Sequence, residues 1–232
     1  FFISAGWGAY MGWGIHFMTR EAGLDKVQAV GILGLVGLGG ASSVILAKIV
    51  ERFQRVDLRL KLYLAGLFVA IEGSAYITMY TLMKSLALNI ATNDIIASIM
   101  LLLNALSHNA IFLSAIIIGA IGNFTGSTAN PIRGAVISEV NVPEEKSAMI
   151  GVAIVSDHIG RSLGIMLVGI TSILTHSLYL GLISSFSLYY IGTIAWIYAS
   201  KTYLRDRDSF ITKLASRKGE LLMNRNSITR NQ

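Results

Sequence analysis

Six long apolar runs constrain this chain more than any other feature of its sequence. A helix needs roughly 20 apolar residues to cross a hydrocarbon core of about 30 Å. Runs of that kind lie near residues 2–19, 27–48, 62–83, 109–137, 147–173 and 178–200. The 232 residues are 53% hydrophobic and only 14% charged, which is too apolar for an ordinary soluble domain. We therefore predict an all-α, polytopic bundle of six transmembrane helices.

The chain opens within an apolar run. Its first residues, FFISAGWG, lack an initiator Met, and no cleavable signal peptide is visible. We therefore expect a truncated beginning. The sequence holds no cysteine, which excludes disulfides, thiolate metal sites and cysteine nucleophiles.

The formal net charge of +6 is unevenly placed along the chain. Basic residues of one set of loops and of the tail are Lys48, Arg52, Arg55, Arg59, Lys61, Lys146, Lys201, Arg205, Arg207, Lys213, Arg217, Lys218, Arg225 and Arg230. The opposite loops carry Arg20, Lys26 and Lys84. The positive-inside bias places loops 49–61 and 138–146 and the C-terminus in the cytoplasm, so the charge orients the chain and requires no nucleic acid partner.

Two segments outside the clear spans need separate interpretation. Residues 204–232 form a basic tail that we expect to be flexible, with or without contact to anionic membrane lipid. In the segment 84–108, the apolar part from 95 to 106 is too short to cross alone. It predicts an outside loop with an interfacial or re-entrant helix, and the alternative is a span from 95 to 118.

Two stretches resemble the major facilitator superfamily. The segment AKIVERFQR, which follows the second helix, is similar to that superfamily's loop motif, with Ala47, Val50, Glu51 and Gln54 at positions where the motif has Gly, Ala, Asp and Gly. The block NPIRGAVISEVNVPEEKSAMIGVAIVSDHIGRSLGIMLVG resembles the tenth and eleventh helices of its spinster-like branch, in which N-P-x-R, V-N-x-P-E and D-x-L/I-G-K/R-x-L-G recur.

The resemblance covers about residues 7–200 and corresponds to the C-terminal half of a twelve-helix transporter. It implies that residues 1–203 form a six-helix half that moves a small organic or lipid-like solute by alternating access. One half cannot enclose a path, so the resemblance also implies a missing N-terminal half or a second copy as partner.

Charged residues inside the fifth run are candidates for a midplane site. A charge at the bilayer centre costs about 2.5–3.5 kcal/mol on insertion scales, so it usually faces the bundle interior and finds a partner. Asp157 and Arg161 are four residues apart on one helical face, beside Gly160 and Gly164, which favour close helix packing. They form either an intrahelical structural pair or a substrate or proton site, while His158 points about 100° away from Asp157.

Other polar residues of the spans extend the predicted pathway. Glu72 lies in the third run, where an acid either takes up a proton or is paired. Helix one carries Trp7, Tyr10, Trp13 and His16 at spacings of three, either as a substrate-holding stripe or as an interfacial belt. The fourth run contains Asn123, Thr125, Ser127, Thr128 and Asn130 before Pro131, which invites a bend beside a water-filled path.

The basic loops have a mechanical interpretation as well as a topogenic one. In the family, the acid and arginines of the loop motif pin neighbouring helices, and the matching positions here are Lys48, Glu51, Arg52 and Arg55. Arg133, close to the cytoplasmic end of its helix, either snorkels or pairs with Glu139 or Glu144.

Enzyme motifs are missing from the sequence. It has no H-E-x-x-H, G-x-S-x-G or Walker A pattern, and His16, His108, His158 and His176 are scattered without ligand spacing. We expect no enzyme, no cofactor and no metal. The alternative to a transporter is a non-transporting membrane scaffold or sensor with a facilitator fold.

Overall fold

The computed structural model describes residues 1–41, 43–53 and 57–230, and over these residues the chain is helical with no strand. The all-α prediction is confirmed. The nine helices of the described part are α1 (Phe2–Arg20), α2 (Lys26–Ala41), α3 (Ser43–Phe53), α4 (Leu60–Leu86), α5 (Ile95–His108), α6 (Ala110–Val140), α7 (Pro143–Thr175), α8 (Leu178–Phe186) and α9 (Leu188–Arg230).

Within the described residues, five segments are long and apolar enough to cross a membrane, so the chain is a multi-pass membrane protein. They are Lys26–Val50, Leu60–Leu86, Ala110–Val140, Pro143–Thr175 and Leu178–Arg217. Five of the six predicted runs coincide with them. The first run forms α1, a helix of 19 residues that is not among the five, because glycine, tryptophan and histidine lower its hydropathy.

Side-chain caps fix where several helices begin. Asp25 and Gln28 form a reciprocal capping box at the start of α2. The Asp25 carboxylate accepts from the backbone amide of Gln28 at 2.9 Å, and the Gln28 side-chain oxygen accepts from the backbone amide of Asp25 at 3.1 Å. Asp94 accepts from the amide of Ile96 at the start of α5, and Asn109 accepts from the amide of Phe112 at the start of α6. Pro143 occupies the first position of α7, where its missing N–H costs nothing.

The segment 84–108 contains a separate short helix. The helix α5 has 14 residues and ends at the extended backbone of Asn109 before α6 begins, so a continuous span from 95 to 118 is wrong. The loop before α5 is pinned to the turn after α1 by two backbone bonds, from the amides of Leu88 and Ile90 to the carbonyls of Ala22 and Gly23.

The Asp25 carboxylate also holds this loop. It accepts from the amide of Thr92 and from the hydroxyl of Ser98. Partial desolvation acts to raise the pKa of Asp25, but these hydrogen bonds outweigh it and keep the pKa below its usual value.

Ion pairs at the two ends of the bundle show how the helices are arranged. At one end, Glu139 of α6 binds the ammonium of Lys61 from α4 and the hydroxyl of Tyr203 from α9. We call this the basic end. At the other end, which we call the loop end, Glu21 pairs with Lys84 at 3.6 Å and accepts from the amide of Tyr179 at 3.1 Å.

Lys61 differs from its prediction. The charge pattern predicts Lys61 in a basic loop, but it lies in the first turn of α4 and is fully buried, with its ammonium 4.7 Å from the centroid of the Tyr203 ring. The predicted partners of Arg133 at this end are also wrong, because Glu139 binds Lys61 and Glu144 binds Arg217 at 2.9 Å.

The predicted tail is helical throughout its described part. The helix α9 runs from the last span without a break as far as Arg230, so residues 204–230 extend the bundle's final helix.

Glycines bring α1 and α7 into backbone contact, as predicted for Gly160 and Gly164. A Cβ at Gly164 would overlap the carbonyl oxygen of Ala5, and a Cβ at Gly160 would overlap that of Phe1. From the α1 side, a Cβ at Gly8 would overlap the carbonyl oxygen of Arg161. The three glycines therefore fix the distance between the two helices.

We expect Gly164→Ala to lower the melting temperature of the protein in detergent, because overpacking a close contact costs about 1–3 kcal/mol. The matched control is Gly151→Ala in the same helix, where nothing lies within 4 Å of the added methyl. That variant should be as stable as the wild type or slightly more stable, since alanine favours a helix over glycine. Equal melting temperatures for the two variants would contradict the packing described here.

Candidate functional site

Four of the predicted pathway residues line one cavity near the middle of the bundle. Glu72 from α4, Asn130 from α6, and Asp157 and Arg161 from α7 border a space of about 270 Å³. Ser4 and Trp7 of α1 complete its wall, and an adjoining cavity of about 230 Å³ continues from it past Arg133 towards Ala199. We call these two spaces together the central cavity.

Asp157 is bound by Arg133 and not by Arg161. The guanidinium of Arg133 donates to both carboxylate oxygens, at 2.8 and 2.7 Å. The hydroxyl of Ser4 donates to the same carboxylate at 2.7 Å. The predicted intrahelical pair of Asp157 with Arg161 is therefore wrong, and the carboxylate instead joins α6, α7 and α1.

The geometry explains why the sequence did not reveal this pair. Arg133 lies closer to the α6–α7 turn than Asp157 does, when the distance is counted in residues along each helix. The backbones of the two residues therefore lie at different depths in the bundle. The long side chain of Arg133 closes the difference. The pair is bidentate and its carboxylate is 14% exposed, so it is stronger than a surface ion pair.

Arg161 lines the central cavity without an ion-pair partner among the described residues. The backbone of α7 packs on α1 through Gly160 and Gly164, and this leaves the Arg161 side chain on the exposed side of the helix. His158 is exposed on the same helix. The cavity therefore presents a cation whose charge the described residues leave available to a ligand.

Glu72 is the buried acid of the site. It is 4% exposed, and one of its carboxylate oxygens is buried without a hydrogen-bond partner among the described residues. Its neighbour on α6 is Gly126, where a Cβ would overlap the Glu72 carboxyl group. The sequence therefore makes room for this acid with a glycine on the facing helix.

The aromatic stripe of helix one divides between the core and a second cavity. Trp7 stacks on Tyr10 at 5.2 Å, and the buried Tyr10 stacks on Tyr76 at 4.9 Å. The Trp13 indole donates to the carbonyl of Ile165 at 2.9 Å. Trp13 and His16 border a separate cavity of about 340 Å³ at the loop end, with Ser172 and His176.

The remaining predicted residues lie away from the central cavity. Asn123 is buried against Gly40 of α2, and its carboxamide oxygen accepts from Ser127 at 3.1 Å. Of the predicted gating loop, Lys48 and Arg52 are exposed on α3, which also contains Glu51. Arg55 lies outside the described residues.

Sequence reasoning missed two features of the site. It did not place Ser4 at the carboxylate of Asp157, and it offered Glu139 or Glu144 as the partner of Arg133. A serine in the first turn of α1 carries no distinguishing pattern. The N-P-x-R spacing drew attention to Arg133, but only the packing of α6 against α7 identifies its partner.

A double-mutant cycle tests the pairing of Asp157. We expect Asp157→Asn and Arg133→Gln each to lower stability, because each leaves a partly buried partner unsatisfied. The double variant should recover part of the loss, with a coupling of about 1–3 kcal/mol in unfolding free energy. The matched cycle with Arg161→Gln in place of Arg133→Gln should be nearly additive. A larger coupling of Asp157 to Arg161 than to Arg133 would refute the pairing.

No metal site is evident in the described part of the chain, where no group of three or more histidines, aspartates and glutamates is placed to hold an ion. No protein-family model, curated protein or solved structure matches this chain. The case for function therefore depends on the geometry of the central cavity.

Proposed function

We propose that this chain is one six-helix half of a secondary active transporter, related to the spinster-like major facilitators, that moves a small organic or lipid-like solute by alternating access. The observation that carries the proposal is the central cavity, which is bordered by Glu72 and Arg161. Among the described residues, Glu72 is a buried acid with no ion-pair partner and one carboxylate oxygen without a hydrogen bond, and Arg161 is a cation with no ion-pair partner. Polar groups at membrane depth are costly and commonly mark substrate or ion pathways.

The division of labour among the charged residues supports a transport site. Asp157 and Arg133 neutralise each other and tie helices together, so they form the frame of the cavity. Glu72 and Arg161 have no such ion pair, so they are available to a proton and to a charged group of a solute. An ionised or zwitterionic group of a solute can pair with Arg161, while Glu72 can take up a proton in exchange.

The exposed side of α7 supports the need for a second six-helix unit. Only 11% of the most apolar stretch of this helix is buried within the described chain. Arg161 and His158 lie on its exposed surface, and a charge facing lipid at this depth is unfavourable by a few kcal/mol. A facing unit, either an N-terminal half or a second copy, would enclose these residues around a water-filled path.

The distribution of basic residues supports a cytoplasmic basic end and C-terminus. Because the chain has no cysteine, single cysteines report topology cleanly. We expect Ser209→Cys, on the extension of α9, to be shielded from an impermeant maleimide in intact cells, and Asn93→Cys, in the loop before α5, to be labelled. Labelling of Ser209→Cys with protection of Asn93→Cys would reverse the orientation.

Proton-coupled uptake tests the transport function. The complete gene product is reconstituted into proteoliposomes, and uptake is measured for a panel of organic anions, zwitterions and single-chain lipids. We expect a pH gradient to drive the uptake of at least one of these solutes. We expect Glu72→Gln to remove most of the stimulation by the gradient while the protein remains folded, because a carboxamide cannot carry the proton.

The matched control is Glu145→Gln, an exposed acid in the first turn of α7 that should leave uptake unchanged. Gradient-driven uptake that is equal in Glu72→Gln and wild type would remove Glu72 from the mechanism. Absence of flux for the whole panel would favour a scaffold or sensor over a transporter.

A further inference from the structure

A buried column of tyrosines continues from Glu72 towards the loop end. The column consists of Tyr76 and Tyr80 of α4, Tyr189 of α9 and Tyr10 of α1, each at most 2% exposed. Tyr76 and Tyr80 follow Glu72 at intervals of four residues, so all three side chains leave the same face of α4. The distance along the helix from Glu72 to Tyr80 is about 12 Å.

The column is polar, although the surrounding core is apolar. The hydroxyls of Tyr76, Tyr80 and Tyr189 are buried without a hydrogen-bond partner among the described residues, as is one carboxylate oxygen of Glu72. Leaving such a group unsatisfied costs about 1–3 kcal/mol, and ordered water commonly satisfies it. Four such groups in one place are more than packing alone requires, because phenylalanine would fill the same space.

The members of the column are close enough to interact with one another. Tyr76 and Tyr189 both interact electrostatically with Glu72, and Tyr80 interacts with Tyr10. The rings of Tyr10 and Tyr76 are stacked at 4.9 Å, and those of Tyr76 and Tyr189 meet edge to face at 6.1 Å. The rings of Tyr10, Tyr76 and Tyr189 are thus in contact, and Tyr80 follows them one helical turn further along α4.

The two ends of the series from Glu72 to Tyr80 point to opposite ends of the bundle. Glu72 borders the central cavity, whose wall includes Ser4 near the start of α1 at the basic end. The Tyr80 hydroxyl lies beside Gly14 of α1, where a Cβ would be 2.6 Å away. Tyr80 precedes Lys84, which marks the loop end, by four residues or about 6 Å along α4.

Few other titratable groups face Glu72 from the helices around it. From α7, Asp157 and Arg161 line the same cavity, and from α6 Arg133 is held by Asp157. The facing residues of α1 and α9 contribute the phenols of Tyr10 and Tyr189, while α8 presents Phe186, which does not titrate. Glu72 is therefore the one described carboxyl group that interacts with the tyrosines of the column.

We propose that the tyrosine column is a proton relay that connects Glu72 with the loop end. Water bridges the hydroxyls of the column, because those of Tyr76, Tyr80 and Tyr189 hydrogen-bond to no described residue. A proton from Glu72 passes to the first oxygen of this chain of hydroxyls and water while that oxygen releases its own proton to the next, so one proton moves and each phenol stays neutral. Glu72 then exchanges protons with the basic end through the cavity and with the loop end through the column. The inference rests on the proposed function only in one respect, namely that the proton drives the transport of a solute.

The test measures the protonation of Glu72 from each side of a membrane. Proteoliposomes are formed around the full chain while it is held by a tag after Gln232, so that every basic end faces outward. A hydrophobic carbodiimide, which reacts with protonated carboxyl groups, is the probe, and peptide mass spectrometry quantifies labelling at Glu72. The Glu72→Gln variant gives the background.

We expect wild-type labelling to rise when either the outer or the inner solution is acidified. Tyr80→Phe should keep the response to the outer solution and lose the response to the inner one, because it removes one hydroxyl and keeps the ring. Tyr76→Phe should do the same and serves if Tyr80→Phe does not fold. The matched control is Tyr179→Phe, a loop-end tyrosine whose hydroxyl bonds Thr81 outside the column, and it should behave as wild type.

Three results would overturn the relay: a wild type that ignores the inner pH, tyrosine variants that match the wild type, or an equal loss in Tyr179→Phe. The assay needs no solute. A failure of the transport proposal would therefore leave this labelling pattern unchanged, and the two proposals fail separately.

Discussion

The backbone contact between α1 and α7 is the constraint on which the central cavity depends. Gly8, Gly160 and Gly164 let the two helices approach so closely that a Cβ at any of the three would overlap the facing backbone. At that distance the hydroxyl of Ser4 reaches Asp157, and Trp7 stands beside Arg161 in the cavity wall. In lipid, where burial of apolar surface does not drive helices together, such close packing is a main source of association.

The charged residues inside the bundle serve two purposes. Lys61 with Glu139, Glu21 with Lys84, and Arg133 with Asp157 are paired, and each pair joins different helices. These pairs fix the two ends and the frame of the cavity. Glu72 and Arg161 have no ion-pair partner within the described chain. Both border the central cavity, so the cavity contains an acid and a cation that can interact with a ligand.

The exposed side of α7 connects the fold with the proposed pairing of two six-helix units. A helix whose exposed side carries an arginine and a histidine among valines and isoleucines is poorly suited to lipid alone. It is suited to line a path between two helical units. The tyrosine column lies within the chain's own core, so the proposed proton route uses residues of this chain alone.

Much of the fold could be predicted from the sequence, because the length and hydropathy of one continuous stretch are enough to identify a membrane span. Run length and hydropathy located the five long spans, and the shortness of the apolar part from 95 to 106 indicated a helix separate from the fourth run. Gly160 and Gly164 indicated a close helix contact, since small residues on one face have few other uses there. Glu72, Asn130, Asp157 and Arg161 were all recognisable as polar residues at membrane depth.

Only the tertiary structure decided which of these residues meet. The nearest charge to Asp157 along its own helix is Arg161, but the partner is Arg133, because a long side chain from the neighbouring helix reaches the carboxylate. Asn123 and Asn130 lie seven residues apart in one helix, yet one packs against Gly40 and the other borders the cavity. Periodicity assigns a residue to a face of its helix, whereas the identity of the helix opposite that face depends on how the whole bundle packs.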